Sequence, residues 1–545
     1  MSIVHLKLVD WLIILIYFIF VIGIGVYIRG FTTTGNDFFL AGRRNTAIVA
    51  GIAFLSANMG ALELLGMSGQ AYKYGMLVTH FYWIGAIPAM LFLGIFMMPF
   101  YYASKAHSVP GYLKLRFNES TRTLNAIAFA IMTLLMSGIN MYAMALVLHV
   151  FVGWNISFCF WVSAITIAVY ITLGGLTSAI FTEVLQFFLI WFGVLLVVIL
   201  GWHYIGGWQQ IAARIPNNFT HVWADTGSTN NNPMFINWAG IVMGLGFVLG
   251  FGYWTTDFLV VQRAFSAKNL NAARNTPIFA SFFKMLLPII VVLPGLMALA
   301  LVHMGQIQSP STPDDSLLYL MAKFYPHGLL GLGVTALLAG FMSGQAGNVT
   351  AFTTIWTYDV YRAHLRKNAS DKHYVLVGRI STIIGVFLSI ITAYWAMHMP
   401  SIMEYMQALF SIVNAPLFAT ILLGMFWLRA TGAGAFWGLL IGMLASAMMF
   451  ILGHFHLLPL QIFAFDKNAS PMAANFWRAV WAWGITFVLT IVISLATSAT
   501  DKSTLKDLTI FTTSKQVMKS PRFKNPVFWA IISLIILIIL NIIFW

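Results

Sequence analysis

Seven ionisable residues lie inside or at the edges of long apolar stretches: Asp10, Glu63, Glu183, Asp257, Lys284, Asp359 and Glu404. A charge surrounded by hydrocarbon is costly, so such residues mark ion or solute paths unless they pair with one another. Asp10, Asp359 and Glu404 fall near the ends of their stretches, where capping or snorkelling accounts for them. Glu63, Asp257 and Lys284 carry more weight. Glu63 and Asp257 each follow a run broken by glycine and polar residues, FLSANMGALELLGMSG and GLGFVLGFGYWTTD, and Lys284 lies well inside FASFFKMLLPIIVVLPG. A helix broken inside a membrane frees backbone groups that can hold ions and polar solutes. The competing explanation is that the glycines let helices pack closely and that the charges form ion pairs. The 13 histidines make no HExxH motif and no His–carboxylate pair within a stretch, which argues against an enzyme. Cys159, in ISFCFWVS, is the single cysteine, so neither an intramolecular disulfide nor a cysteine metal cluster can form.

The elements that must position these residues follow from composition. Of 545 residues, 60% are hydrophobic and 8% charged, a balance that lipid tolerates and water does not. Stretches such as LIILIYFIFVIGIGVYI are too long and too uniformly apolar for alternating barrel strands, so the fold class is all-α. Fourteen spans are read: 8–28, 45–71, 75–103, 124–152, 156–175, 180–205, 236–261, 276–303, 328–360, 376–398, 401–427, 432–453, 476–498 and 526–544. The two glycine-broken spans, the second and the seventh, are five apart. An odd repeat length inverts topology, so the pattern predicts an inverted repeat of five spans, two to six on seven to eleven, with unwound segments near Asn58 and Gly250, within one transmembrane domain covering 1–545. Its core would be 45–427, with 8–28 and 432–544 peripheral. The first span carries Asp10 and no small-residue cleavage site, and is read as a retained helix rather than a signal peptide.

The net charge of +14 could suggest a nucleic-acid surface, but the cations are not spread over the chain. With the N-terminus outside, 22 of the 29 Lys and Arg residues fall in cytoplasmic loops and at their edges. That is the positive-inside asymmetry, and it places both termini on the outer side and sets a nucleic-acid partner aside. The polar loop 206–235 is then external and the Lys-rich loop 499–525 cytoplasmic.

The stretch YWTTDFLVVQRAFSAKNLNAA, followed by FASFFKMLLPIIVVLPG, resembles the signature of the solute:sodium symporter family, in particular its sodium/glucose cotransporter branch. DFFLAGR at 37–43, SANMGALELLGMSG at 56–69, GGLTSAIFTEVLQ at 174–186, TIWTYDVYR at 354–362 and LLGMFW at 422–427 match in family order. The resemblance implies an all-α integral membrane protein of about fourteen transmembrane helices with a five-plus-five inverted-repeat core, the LeuT-like fold. Carried over by position, it implies a solute site of Asn58, Glu63, Asn140, Tyr253, Trp254, Lys284 and Gln407, with Tyr253 as inner gate. Such donors, acceptors and aromatic faces suit a polyhydroxylated ring. For the cation it implies the carbonyls of Ser56, Met59 and Gly340, the hydroxyl of Ser343, and Glu183 on the inward path.

Departures from the family pattern fall on the same residues. Tyr82, in HFYW, stands where the family has a sugar-binding Glu, Gly250 stands where a polar residue precedes the Tyr–Trp pair, and Glu63 stands where sugar transporters have Gln or His. The carboxylate is therefore expected on a different wall, for a solute that need not be a simple neutral hexose. Gly344, in LLAGFMSGQAGNVT, replaces the second hydroxyl of the cation site. Water filling that place predicts weak sodium binding that Gly344→Ser tightens; the alternative is proton coupling through Glu63 or Asp257. The expected function is secondary active symport of a small polar solute, with a sugar as leading candidate, driven by sodium across the plasma (cell inner) membrane, with no cofactor beyond the coupling ion. The remote alternative is a membrane solute sensor, against which the chain ends on the apolar PVFWAIISLIILIILNIIFW.

Overall fold

A backbone in lipid must satisfy its own hydrogen bonds, and small polar residues mark where each helix starts. Thr46, Asn118, Asn155, Asn269, Ser370, Ser401, Thr431, Ser470 and Asn525 each accept a hydrogen bond from an N–H two or three residues on. The computed structural model describes residues 6–29, 34–229, 231–399, 401–455, 457–459, 461–466, 468–513 and 525–545. Among these there is no strand, and one isolated bridge joins Asn45 to Ala267. In the Lys-rich loop, residues 514–524 lie outside the described part, as do Asn230 in the loop 206–235 and Lys467.

The apolar helices, in chain order, are α1 (Leu8–Ile28), α2 (Ala47–Asn58), α3 (Leu62–Thr79), α4 (Phe81–Ala103), α5 (Glu119–Val152), α6 (Ile156–Val169), α7 (Gly175–Ile205), α8 (Gly240–Thr256), α9 (Phe258–Phe265), α10 (Leu270–His303), α11 (Leu329–Leu365), α12 (Asp371–Ala396), α13 (Ile402–Phe426), α14 (Gly432–His454), α15 (Pro471–Ala496) and α16 (Pro526–Ile543). Among the described residues, eleven of them are each long enough to cross a bilayer. Two more crossings are bent pairs, α2–α3 at 63° and α8–α9 at 48°, and α6 is a shorter apolar helix. The bent pairs occupy the second and seventh positions, as the broken glycine runs suggest. The fifth and sixth spans are wound almost continuously, with the turn between them at Gly175, whose φ of 56° favours glycine.

The chain buries its helices very unequally. The apolar windows of α11 and α13 are 89% and 83% buried, whereas those of α1, α15 and α16 are 28%, 28% and 22% buried and present their sides outward. α11 packs on α5 and α7, and α10 packs along both halves of the first bent pair, α2 and α3. This inner set carries Glu63, Glu183, Lys284, Asp359 and Glu404, whereas Asp10 lies on α1 and Asp257 between α8 and α9.

The second break does not fall where the glycines are densest. Unwinding is expected near Gly250, yet Gly240–Gly250 is continuous π-type helix running into Phe251–Thr256, and the chain leaves helical geometry at Asp257 (φ −70°, ψ 116°). Gly250 serves close packing instead: a Cβ there would lie 2.1 Å from the carbonyl oxygen of Gly85 on α4. Gly250→Ala is therefore expected to destabilise the protein by roughly 1–3 kcal/mol, the usual range for overpacking. Gly484→Ala, on α15 with nothing within 4 Å, is expected to be neutral or stabilising. Thermal melting of the two purified variants against wild type checks the contrast.

Candidate functional site

The first bent pair builds most of the site. α2 runs to Asn58, and Met59 (φ −80°, ψ 47°) departs from helical geometry while its N–H donates to the carbonyls of Leu55 and Ser56 at 3.1 and 2.9 Å. The chain then re-enters a helix through the wide turn Leu62–Gly66, and Glu63 sits in its first turn, aimed back across the break. Opposite it, α10 presents Lys284, which is 1% exposed. The Lys284 ammonium donates to Glu63 Oε1 at 2.7 Å and, at closer range, to Asn58 Oδ1. It also stands 5.0 Å from the ring centroid of Tyr82 and 4.8 Å from that of Trp254, both within cation–π range.

The rest of the cluster completes the hydrogen bonding of this pair. The hydroxyl of Tyr82, on α4, donates to Glu63 Oε2 at 2.7 Å, and Asn58 Nδ2 donates to the hydroxyl of Tyr253, on α8, at 2.8 Å. Tyr253 packs its ring against Phe410 of α13, with centroids 4.8 Å apart. Gln407 of α13 lines the same space; its Oε1 has no hydrogen-bond partner among the described residues. Six of the seven expected solute residues, Asn58, Glu63, Tyr253, Trp254, Lys284 and Gln407, thus surround one cavity of about 50 Å³. That volume admits a few waters and no sugar ring. A ring-sized ligand would fit here only if the Glu63–Lys284 bridge opened and the aromatic wall moved.

Asn140 stands apart from the cavity. Its Oδ1 accepts the N–H of Ala61 at 2.9 Å, capping the restart of the broken span, and its Nδ2 donates to the carbonyl of Met136 at 3.2 Å. Tyr82, a departure from the family pattern, is the group that fixes the second oxygen of Glu63. The signal available was its place in HFYW, where the family pattern has a carboxylate.

The oxygens assigned to a cation lie where α2 meets α11. The Ser56 and Ser343 hydroxyls are 3.0 Å apart. Gly340 lets the Met59 carbonyl approach so closely that a Cβ there would lie 2.8 Å from the oxygen. At Gly344 a Cβ would lie 2.7 Å from Asn140 Oδ1 and 3.0 Å from Gly60 Cα, so the place of a second hydroxyl is filled by the Asn140 carboxamide. This removes the basis for expecting Gly344→Ser to tighten sodium binding. Glu183 is not a free carboxylate. It is fully buried against the equally buried Arg263 of α9, whose Nε reaches Glu183 Oε2 at 3.3 Å while a terminal nitrogen contacts Oε1 more closely.

Asp257 caps α9: its Oδ1 accepts the N–H of Leu259 at 3.0 Å and its Oδ2 meets Asn414 Nδ2 at 3.4 Å. Asp10 accepts the N–H groups of Lys7, Gly328 and Gly331. Asp359 accepts from Ser108, and Glu404 pairs with Lys73 at 2.8 Å. These three have the capping and pairing roles that their interfacial positions suggest.

Residues 38–442 match the description of the Sodium:solute symporter family. The chain is 26% identical over 466 residues to a sodium/glucose cotransporter of Vibrio parahaemolyticus, covering 81% of this chain and 84% of that protein. It is 29% identical over 495 residues to a sodium/mannose cotransporter of Bos taurus, covering 84% and 81%. Its fold superposes on a substrate-bound, outward-open Na⁺-coupled sialic acid symporter with a TM-score of 0.76 at 18% identity, over 91% of this chain and 99% of that one. The all-helical, LeuT-like architecture is therefore shared despite low identity.

Gly344→Ser is expected to lower the melting temperature and to weaken, not strengthen, sodium-dependent stabilisation, because the added side chain must displace Asn140 or the Gly60 backbone. A sodium titration followed by thermal melting of the variant reads both effects.

Proposed function

The chain belongs to the sodium:solute symporter family, and from that premise we propose that it is a secondary active symporter that moves a hexose-like polar solute with sodium by alternating access. The observation that carries this is the convergence of Asn58, Glu63, Tyr253, Trp254, Lys284 and Gln407 on one closed cavity at the crossing of two bent spans. Bent spans expose backbone polar groups at the middle of the bilayer, and alternating access opens a site there to one side at a time.

The solute class rests on the lining. Two aromatic faces, a carboxylate, an ammonium and two carboxamides can bind hydroxyls in several directions while the rings cover C–H surface. Glu63 and Lys284 cancel in charge, which favours a solute without net charge. The relatives named for glucose and mannose transport agree with that class.

The cation would sit among the Ser56, Met59 and Gly340 carbonyls and the Ser343 hydroxyl. Carbonyl and hydroxyl oxygens suit a hard monovalent ion. Asn140 Oδ1, beside Gly344, stands as an additional oxygen at this junction. Proton coupling is the weaker reading, since Glu63 is held by Lys284 and Tyr82 and Asp257 caps α9, roles that account for both carboxylates. Glu183, paired with Arg263, would contribute to cation passage by exchanging that partner. The protein would sit in the plasma membrane with both termini outside; the cation asymmetry of its loops supports that orientation.

Proteoliposomes loaded at fixed pH should accumulate glucose or mannose under an inward sodium gradient and fail to do so with choline in place of sodium. Gln407→Ala and Tyr253→Ala should each weaken apparent affinity about ten- to a hundredfold, the effect of removing a hydrogen-bond partner worth roughly 1–3 kcal/mol. Accumulation that survives choline and collapses with the pH gradient would transfer the coupling role to a proton.

A further inference from the structure

A second cavity, of about 180 Å³, opens where α13 and α15 begin, and it shares no lining residue with the solute cavity. Arg478 of α15 faces it while only 3% exposed. Its Nε donates to the Ser411 hydroxyl at 2.9 Å, a terminal nitrogen donates to Asn475 Oδ1 at 2.5 Å, and the guanidinium stands 5.2 Å from the Phe450 ring centroid. Arg478 makes no ion pair with a carboxylate among the described residues. The acid in the same lining, Glu404, is engaged by the Lys73 ammonium at 2.8 Å and the Tyr74 hydroxyl at 3.2 Å. Tyr405 also lines the cavity; it is 5% exposed and its hydroxyl has no hydrogen-bond partner among the described residues.

These groups are of one kind. A guanidinium keeps its charge when buried and carries five N–H donors, more than the two neighbouring oxygens can use. A phenolic hydroxyl without an acceptor adds another donor. Ser401, the N-cap of α13, and Pro471, the first residue of α15, also line the cavity, although the first N–H of α13 is taken by Asp314 Oδ2 at 2.9 Å. A buried cation without a counter-charge is strongly unfavourable, and here the missing counter-charge has a cavity in which to sit.

We propose that this cavity binds a small monovalent anion, a halide or a short carboxylate, between the Arg478 guanidinium and the Tyr405 hydroxyl. The anion acts on α13. Arg478 holds Ser411, whose carbonyl also accepts the Ser446 hydroxyl of α14 at 3.0 Å, and Ser411 follows directly on Phe410 and lies one turn beyond Gln407, both in the solute wall. Neutralising Arg478 therefore fixes the helix that carries one side of the solute site.

The test is thermal melting of the purified full-length protein at constant sodium and ionic strength, exchanging a bulky buffer anion, HEPES, for chloride or for acetate. A saturable rise of several degrees is expected with at least one of them, as for any ligand bound to the folded state alone. Chloride acting alone identifies a halide site, and acetate acting as well or instead identifies a carboxylate site. Tyr405→Phe, which removes one oxygen, should shift the midpoint of the anion titration to higher concentration, and Arg478→Met should abolish the response. Absence of a saturable rise with both anions, or a titration midpoint unchanged in Tyr405→Phe, would overturn the proposal even if Arg478→Met fails to fold.

Discussion

The bridge between Glu63 and Lys284 is the contact on which the arrangement of the centre depends. Each residue alone would be an unsupported buried charge, so each of the two helices is destabilised when the other's charge is removed. Their attraction spans the break between α2 and α3 and ties it to α10, while Tyr82 takes up the other carboxylate oxygen and Asn58 a second ammonium proton. The pair is thus both a structural clamp and the polar surface of the cavity. Under the proposed function, a solute that offers hydroxyls to both groups would replace what the bridge supplies and so link its binding to movement at the break.

The two bent spans use their irregularities differently. At the first, backbone geometry fails over a few residues and Asn140 from α5 supplies the cap that the restarting helix lacks. At the second, a single residue, Asp257, ends one helix and caps the next. Small residues on α11 let the first break approach: Gly340 admits the Met59 carbonyl and Gly344 admits the Asn140 carboxamide. Three helices therefore meet at one point lined by oxygen atoms, and a larger residue at any of these positions would separate them.

Much of this was legible in the sequence, for physical reasons that differ by element. The membrane helices follow from apolar length and their starts from Ser, Thr and Asn, since lipid leaves a backbone few choices. The intramembrane charges announced the site because hydrocarbon tolerates so few of them. Partner choice was not legible. That Glu63 pairs with Lys284 and Glu183 with Arg263 depends on how distant helices pack, as does Asn140 serving the break instead of the cavity. The position of the second break was misleading because glycine permits both unwinding and close approach, and the neighbouring Gly85 backbone makes close approach the use that Gly250 serves.

A double-mutant cycle on Glu63 and Lys284 tests the clamp most directly. Glu63→Gln and Lys284→Met, each measured by unfolding of the purified protein, should separately destabilise it by about 3–5 kcal/mol, because each strands a buried charge. The double variant should be much less destabilised than the sum of the two, with an interaction energy of about 2–3 kcal/mol. Simple additivity of the two single effects would contradict a clamp between these residues.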